Sequence, residues 1–345
     1  MADGSAPIIS YAQRFEDCYL MRCFGSRNQG FYIDIGSGHP VYDNASFAFY
    51  LKGWSGVTVE PNPWLARLSR AVRPRDCHVE ALVGSTAGKG TFYLVEEFHG
   101  FSTMIEGHAI AARTRFGKAS RPLVVPMTTL AELCDQHASC AIDFLKVDVE
   151  GAEEDVLLNG NWCKYRPKVV VAEALAPYTL TPAWQRWGAM LEEHGYRYVW
   201  FDSLNRYYVS AEADELGQCF GPDIEQLEAT LQFRNIKAAT SDQTHPDHRL
   251  AQLFAGTGMV GLPLLEPDLL CQILTADLPP GTLDRPAGAD EIAQAIERVL
   301  GPNAGMAVDD LGVPGSPCLR EVYFAIIQSD EFRTACGRIS ASYAW

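Results

Sequence analysis

From Phe31 to Val209, short apolar runs alternate with segments of helical periodicity. Several of these runs are apolar throughout and end in an acidic residue, which is typical of parallel strands buried on both faces, with polar chemistry at their carboxyl ends. The predicted strands are 31–35, 57–60, 78–83, 142–148, 168–173, 196–201 and 206–209. The pattern therefore predicts an α/β fold with a mostly parallel central sheet.

The last two predicted strands differ from the others because only residues 202–205 separate them. A connection this short cannot hold the crossover that parallel strands need, so residues 196–209 are predicted to form an antiparallel hairpin at the edge of the sheet.

The chain outside this region has a different composition. A helix is predicted over residues 11–24, and further helices over 223–234, 290–300 and 319–335, with turn-rich segments between them. We therefore predict three parts: an N-terminal helical segment (1–29), an α/β domain (30–215) and an acidic, mainly helical C-terminal region (216–345). The role of the last part is open, and one possibility is that it mediates homo-oligomerisation.

Composition narrows the class of protein. The chain has 345 residues, of which 47% are hydrophobic and 21% charged, as in a globular protein. Its formal charge of −15 opposes binding to a nucleic-acid backbone. Ten scattered cysteines form no C-x-x-C pair, and neither a signal peptide nor a membrane-spanning run is visible. We expect a cytoplasmic protein with reduced thiols.

The first strand leads into a glycine-rich turn, in the sequence Phe31-Tyr-Ile-Asp-Ile-Gly-Ser-Gly-His-Pro. Glycines let the backbone approach a ligand closely, and a helix that follows the turn adds unpaired N–H groups. The dinucleotide motif G-x-G-x-x-G requires a third glycine, but Val41 and Tyr42 stand there instead. The turn therefore predicts a ligand site that makes no provision for close approach of a pyrophosphate.

The second strand ends at Glu60, where a carboxylate can accept hydrogen bonds from both hydroxyls of a ribose. The glycine-rich turn and Glu60 together restrict the ligand to a nicotinamide or flavin dinucleotide, or to S-adenosylmethionine (SAM). SAM contains a ribose but no phosphate.

The fourth strand distinguishes these ligands because Asp148 and Glu150 follow it, at the carboxyl edge beside the first strand. Negative groups at this edge repel a pyrophosphate but suit a sulfonium cation, a hydroxyl awaiting deprotonation or a divalent cation. Glu173 ends the fifth strand and extends the cluster, so Asp148, Glu150 and Glu173 are the candidate ligands if magnesium is bound. Glu153 is expected to have a structural role in the first turn of the next helix.

These residues resemble those of the FkbM family of SAM-dependent methyltransferases. The resemblance covers about residues 30–209 and rests on the strings FYIDIGSGHP, VTVEPNP, TTL, FLKVDVEGAEEDVL, PKVVVAEA and GYRYVWFDSLNRYYV. It implies a class I methyltransferase fold, which is Rossmann-like with seven strands, the last inserted antiparallel. It also implies O-methyl transfer, often to sugar or polyketide hydroxyls, and a bacterial source.

By motif position, the resemblance places the SAM site at Asp34, Gly36, Ser37, Gly38 and Glu60. Asp148 and Glu150 are then expected where methyl donor and acceptor meet, with Asp148 also contributing to the cofactor site.

The loop after the first glycine departs from the family pattern. Many members have Ala-Asn there, whereas this chain has Ser-Gly-His-Pro, similar to a subgroup with a His-Pro loop. This change brings His39 beside the predicted methyl donor, where its imidazole could accept the proton of the acceptor hydroxyl. A structural role of His39 in the turn is the alternative.

The sequence therefore predicts a SAM-dependent O-methyltransferase that acts on a sugar hydroxyl of a glycan, such as a polysaccharide, or of a glycosylated metabolite. Asp148, Glu150 and His39 are its candidate catalytic residues. Two alternatives stay open: a nicotinamide-dependent oxidoreductase, and a non-catalytic module of the same fold with a helical interaction tail. His99, Ser102 and Thr103 are expected in an insertion that acts as a lid or contacts the acceptor.

Overall fold

The computed structural model describes residues 8–95, 99–221, 224–255, 258–279, 281–302, 306, 308–313 and 315–343. Two units are present. The first comprises the described residues up to Arg70 together with Arg75–Gln232, and the second comprises Ala71–Pro74 together with the described residues from Phe233 onward. The predicted boundary between residues 215 and 216 lies inside the first unit.

The strands, in chain order, are β1 Ile9–Ser10, β2 Phe31–Ile35, β3 Ser55–Val59, β4 Cys77–Val79, β5 Leu82–Val83, β6 Gly88–Leu94, β7 Arg121–Thr128, β8 Phe144–Val147, β9 Val169–Glu173, β10 Tyr196–Phe201, β11 Asn205–Ser210 and β12 Leu231–Gln232. Seven of them form the central sheet, in the order β10-β11-β9-β8-β2-β3-β4. Strand β11 is antiparallel to both of its neighbours, and the other pairs are parallel. The predicted fold class and terminal hairpin are confirmed.

Alternating side chains make β2 a central strand. Ile33 and Ile35 pack into the apolar cluster on one face of the sheet, whereas Tyr32 packs into the cluster on the other face. The loop after β2 and the loop after β8 leave the sheet where the strand order changes direction. In open α/β sheets, this crevice is where ligands bind.

The predicted strand 78–83 is wrong as a single element. Residues Cys77–Val79 pair with β3, but Leu82–Val83 leave the central sheet and join a second sheet of order β5-β7-β6. The antiparallel pair β6 and β7 was not predicted, because its exposed positions and its prolines, Pro122 and Pro126, weaken the apolar signal.

The helices, in chain order, are α1 Glu16–Phe24, α2 Phe47–Leu51, α3 Pro63–Val72, α4 Glu106–Phe116, α5 Leu130–His137, α6 Glu153–Leu157, α7 Gln185–Glu193, α8 Ile224–Ala229, α9 His248–Leu253, α10 Pro267–Leu274, α11 Ala289–Leu300, α12 Leu319–Gln328 and α13 Asp330–Ala341. Helices α9 to α13 build the second unit around an apolar core that includes Phe254, Val322 and Phe332. The predicted C-terminal helices are confirmed as a class.

Three predicted helices have different bounds. The helix predicted over 11–24 begins only at Glu16. The helix predicted over 319–335 is interrupted at Ser329, whose hydroxyl oxygen accepts a hydrogen bond from the N–H of Phe332 (3.2 Å) and so starts a new helix. The helix predicted over 223–234 ends at Ala229, because Leu231 and Gln232 pair with Ile9 and Ser10 instead. Its first residue, Asp223, lies outside the described residues.

Among the residues that the structure describes, no helix has the length and apolar character needed to cross a membrane.

Candidate functional site

The glycine-rich turn after β2 has a backbone that only glycine tolerates well. Gly36 and Gly38 have φ angles of +74° and +58°. The N–H groups of Gly36 and Ser37 donate to the carbonyl oxygen of Val59, at 2.9 and 3.1 Å, which ties the turn to the end of β3. A Cβ atom on Gly36 would lie 1.7 Å from the carbonyl oxygen of Asp148. The turn is thereby held tightly against the loop after β8.

Asn44, which the sequence analysis missed, holds the same turn from the other side. Its side-chain amide donates to the carbonyl oxygens of Ser37 (2.9 Å) and His39 (3.2 Å). Its Oδ1 accepts the N–H of Phe47 at the start of α2 (2.8 Å). An Asn three residues before an apolar run is a recognisable cap signal, so Asn44 could have been identified from the sequence.

Two polar groups of the turn are buried. Asp34 is 3% exposed and accepts a hydrogen bond from Ser46 Oγ at 2.6 Å. Ser37 is 6% exposed, and its Oγ makes no hydrogen bond within the described part of the chain. A buried hydroxyl without a partner points to a ligand or an ordered water, since such groups are normally satisfied.

No helix directly follows the turn, contrary to the prediction. The chain passes through residues 39–46 before α2 begins at Phe47. The unpaired N–H groups at a helix N-terminus, which normally bind a pyrophosphate, therefore do not lie directly after the glycines.

Glu60 lies beside the turn and is 8% exposed. Its two carboxylate oxygens accept the N–H groups of Gly38 (2.9 Å) and Asn62 (2.8 Å). Burial raises the pKa of Glu60 to about 7, and the charge of Asp34 adds to the shift. Glu60 is thus fixed at the position expected of a ribose-binding carboxylate, and it gains or loses a proton near neutral pH.

His39 is held within the turn. Its Nδ1 accepts hydrogen bonds from the N–H groups of Val41 and Tyr42, both at 3.1 Å. A nitrogen that already accepts two N–H donors is poorly placed to take up a proton, so this geometry favours the structural alternative over a role as base.

Asp148 and Lys146 form an ion pair that the sequence analysis did not identify. The Nζ of Lys146 lies 2.8 Å from Asp148 Oδ2, and the Lys146 side chain is 7% exposed. Burial alone would lower the pKa of Lys146, but the carboxylates of Asp148 and Glu16 outweigh it and raise the pKa. Lys146 therefore fixes one carboxylate oxygen of Asp148.

Three carboxylates come together above β8 and β9. Asp148, Glu153 and Glu173 each offer an oxygen atom, and these atoms lie within 4.8 Å of one another. Glu150 is not a member of this group, so the predicted trio of Asp148, Glu150 and Glu173 is not the one that converges. Glu153 does begin α6 as expected, but it also points into the cluster and accepts the N–H groups of Val149 (3.0 Å) and Gly151 (3.2 Å).

Burial and mutual repulsion make ionisation of the carboxyl groups in and next to this cluster unfavourable. Burial raises the pKa of Glu153 to about 7. Burial and the charge of Asp148 hold the pKa of Glu150 and of Glu173 well above the ordinary value. The Oε2 of Glu173 makes no hydrogen bond within the described residues. A carboxylate whose pKa is raised is a stronger base than an exposed one.

The insertion between β6 and β7 is attached to Glu150. Thr103 Oγ1 donates to the carbonyl oxygen of Glu150 at 3.0 Å, and His108 Nδ1 lies 3.1 Å from the same oxygen. Glu150 has a φ of +54°, which is costly for a residue with a side chain. Thr103 thus contacts the backbone of Glu150, whereas the Ser102 hydroxyl oxygen accepts the N–H of Val95 (2.9 Å) within the insertion. A role of either residue as part of a lid or in contact with the acceptor stays a prediction. The side chain of His99 lies outside the described residues.

A cavity of about 510 Å³ opens at the opposite edge of the sheet, among residues that include Phe31, Ser55 and Asp143. Arg27 and Lys168 both pair with Asp143 there. The cavity lies at the amino ends of the strands and contains none of the predicted site residues.

Comparison with known proteins identifies a family for part of the chain. Residues 34–198 match the sequence model described as the methyltransferase FkbM domain. The matched segment is just under half of the chain and runs from β2 to β10. The resemblance predicted from the sequence is confirmed for this segment, and it supports SAM-dependent methyl transfer. Among curated proteins, none matches the chain.

One solved structure is similar to part of this chain. It is described as a TehB-like SAM-dependent methyltransferase from Corynebacterium glutamicum, with 11% sequence identity and a TM-score of 0.31. The match covers 56% of this chain and 87% of that chain.

Proposed function

We propose that the FkbM methyltransferase domain of this chain transfers a methyl group from SAM to a sugar hydroxyl, on a glycan or a glycosylated metabolite. The observation that carries this proposal is the meeting of the glycine-rich turn and Glu60 with the carboxylates after β8. The first two hold a nucleoside, and the carboxylates receive a proton.

The residues present fit SAM. Gly36 and Gly38 form a tight turn with positive φ angles, and the Ser37 hydroxyl of that turn is buried with no hydrogen-bond partner among the described residues. Glu60 offers carboxylate oxygens for the ribose hydroxyls. When bound, SAM supplies an activated methyl group on a sulfonium centre. The negative charge of the neighbouring cluster suits that cation and opposes a pyrophosphate, which favours SAM over a nicotinamide or flavin dinucleotide.

The acceptor hydroxyl loses its proton when it becomes an ether, so the chain has to provide a base. We assign this role to Glu150, because burial and the charge of Asp148 raise its pKa above the ordinary value and so make its carboxylate a stronger base. Asp148 is fixed by Lys146 and is suited to orient the acceptor hydroxyl. His39, whose Nδ1 is held by two backbone N–H groups, is assigned to the turn instead.

Asp148, Glu153 and Glu173 also present the oxygen ligands that a magnesium ion takes. Turnover in chelator, compared with turnover after addition of magnesium, separates a metal-dependent reaction from one in which these groups only move protons. Loss in chelator with recovery on magnesium would establish the metal.

Methyl transfer itself is tested with SAM that carries a labelled methyl group and a panel of sugar glycosides. We expect label in at least one glycoside, and no label with Glu150→Gln. Tight binding of the cofactor product without transfer to any acceptor would favour a non-catalytic module.

A further inference from the structure

Three aromatic side chains from three separate elements meet beside Glu150. Phe101 lies in the turn His99–Phe101, Phe116 at the end of α4 and Tyr178 in the loop after β9. The ring centroid of Tyr178 lies 5.3 Å from that of Phe101, in a stacked arrangement, and 5.5 Å from that of Phe116. Phe116 is 49% exposed, so this aromatic wall has an open side.

The hydroxyl of Tyr178 is the polar part of this wall. It is buried and makes no hydrogen bond within the described residues. Burial and the charge of Glu150 raise the pKa of Tyr178 to about 12, so the hydroxyl keeps its proton at neutral pH. A buried hydroxyl of this kind is ordinarily satisfied, so its lack of a partner among the described residues points to a ligand or an ordered water.

The position of the wall assigns it to the acceptor. The glycine-rich turn follows β2, and Glu60 follows β3. Glu150 and Tyr178 follow β8 and β9, which lie on the other side of the place where the strand order changes direction. With the cofactor on the first side, the acceptor has to approach from the second. An aromatic surface with a few directed polar groups is the usual lining of a small-molecule site.

The charge of this half of the site selects the acceptor. Asp148 is paired with Lys146, whereas Glu150, Glu153 and Glu173 form no ion pair among the residues that the structure describes. An acceptor with a carboxylate or phosphate would bring further negative charge beside carboxyl groups that already crowd one another, which is an effective means of rejection. Hydroxyl groups, in contrast, donate hydrogen bonds to carboxylates.

We infer that this wall is the acceptor subsite, and that it binds a neutral sugar ring. One apolar face of the ring packs on Phe101 and Phe116, and a ring hydroxyl next to the methylated one bonds to the hydroxyl of Tyr178. The inference rests on the proposed function, and it adds that uronic acids and sugar phosphates are rejected.

The test compares Tyr178→Phe with the wild type and with Tyr165→Phe. Tyr165 donates its hydroxyl to Asp135 at 2.6 Å, away from the site, so it controls for loss of a tyrosine hydroxyl. The full chain is saturated with S-adenosylhomocysteine. Binding of the methyl glycosides of glucose, galactose, mannose and rhamnose is then followed by saturation-transfer NMR, with methyl glucuronide as the anionic match to methyl glucoside.

We expect at least one neutral glycoside to bind, with methyl glucuronide bound at least about tenfold more weakly than methyl glucoside. Tyr178→Phe should weaken glycoside binding, or raise the KM of a glycoside that is methylated, by about tenfold, with cofactor affinity unchanged. Tyr165→Phe should match the wild type.

Three results would overturn the inference: no binding of any neutral glycoside, equal binding of the glucuronide, or a Tyr178→Phe variant that matches Tyr165→Phe. Failure of the proposed function looks different, because S-adenosylhomocysteine itself would then not bind.

Discussion

Gly36 and Asp148 are packed so closely that a Cβ atom on Gly36 would lie 1.7 Å from the carbonyl oxygen of Asp148. Gly36 belongs to the turn assigned to the cofactor, and Asp148 to the carboxylates assigned to the acceptor. The two halves of the proposed site are therefore joined through backbone contact, which fixes their distance.

Gly36→Ala should abolish folding or reduce stability by several kcal/mol, because the added methyl group meets backbone and the φ of +74° disfavours alanine. Gly107→Ala is the matched control, since it lies in α4 with open space around its Cβ position. The control should be neutral or stabilised by about 0.5–1 kcal/mol. Denaturant unfolding measures both, and a Gly36→Ala protein of wild-type stability would contradict the close approach.

Glu60→Gln should raise the dissociation constant of S-adenosylhomocysteine by about tenfold to a hundredfold, since charge-assisted hydrogen bonds to the ribose are lost. Glu60→Ala should have at least the same effect. Glu80→Gln is the control, because Glu80 follows the next strand and pairs with Arg70 at the surface. Calorimetry measures the constants, and unchanged affinity for Glu60→Gln would remove Glu60 from the ribose.

The affinity for S-adenosylhomocysteine should depend on pH through Glu60. Only the carboxylate form accepts hydrogen bonds from both ribose hydroxyls, and burial raises the pKa of this group to about 7. Binding therefore expels a proton at low pH. The dissociation constant should rise about tenfold per pH unit below that pKa and level off above it. A flat profile in the wild type, or the same slope in Glu60→Gln, would refute this coupling.

Asp148→Asn and Glu150→Gln should each reduce turnover by about a hundredfold or more while leaving cofactor affinity near the wild-type value. Asparagine is preferred to alanine at position 148 because its side-chain oxygen can still accept a hydrogen bond from the buried ammonium group of Lys146. Thermal unfolding of each variant checks the fold. Retained turnover in either variant would exclude that carboxylate from the reaction.

The stability of the ligand-free protein should fall as the pH rises from about 4.5 to about 7. Burial raises the pKa of Glu16, Glu60 and Glu153 from 4.5 to about 7. The folded state therefore binds more protons than the unfolded state in this window, and ionising these groups costs stability.

Glu153→Gln should reduce that loss, because its amide can still accept the N–H groups of Val149 and Gly151 and can donate to nearby carboxylates. The exposed Glu228→Gln should leave the profile unchanged. Denaturant unfolding over the pH range measures the effect, and a Glu153→Gln profile as steep as that of the wild type would contradict it.

The central sheet was predictable because its strands are apolar runs of limited length, and β2 and β10 have the predicted bounds. The break at Ser329 and the second sheet were not, since they depend on a capping hydroxyl and on strands with many exposed positions. The periodicity of apolar residues indicates which positions are buried. Neither the helix break at Ser329 nor the second sheet alters this periodicity enough to be recognised in the sequence.

The sequence predicts which residues of the candidate site lie together at one edge of the sheet. Asp34, Glu60, Asp148 and Glu173 occupy that edge as strand ends must. The partners of these groups were not predictable. Lys146 lies in β8, whose apolar sequence is typical of a buried strand and gives no sign of an ion pair. His108 and Tyr178 lie in an insertion and in a loop whose conformations depend on tertiary contacts.

The glycine-rich turn and Glu60 are proposed to bind the nucleoside of SAM. Calorimetric titration of the cofactor-free full chain with S-adenosylhomocysteine, and in parallel with NAD, measures this binding. We expect saturable binding of S-adenosylhomocysteine and no binding of NAD. Saturable binding of NAD, or the absence of binding by both compounds, would contradict it.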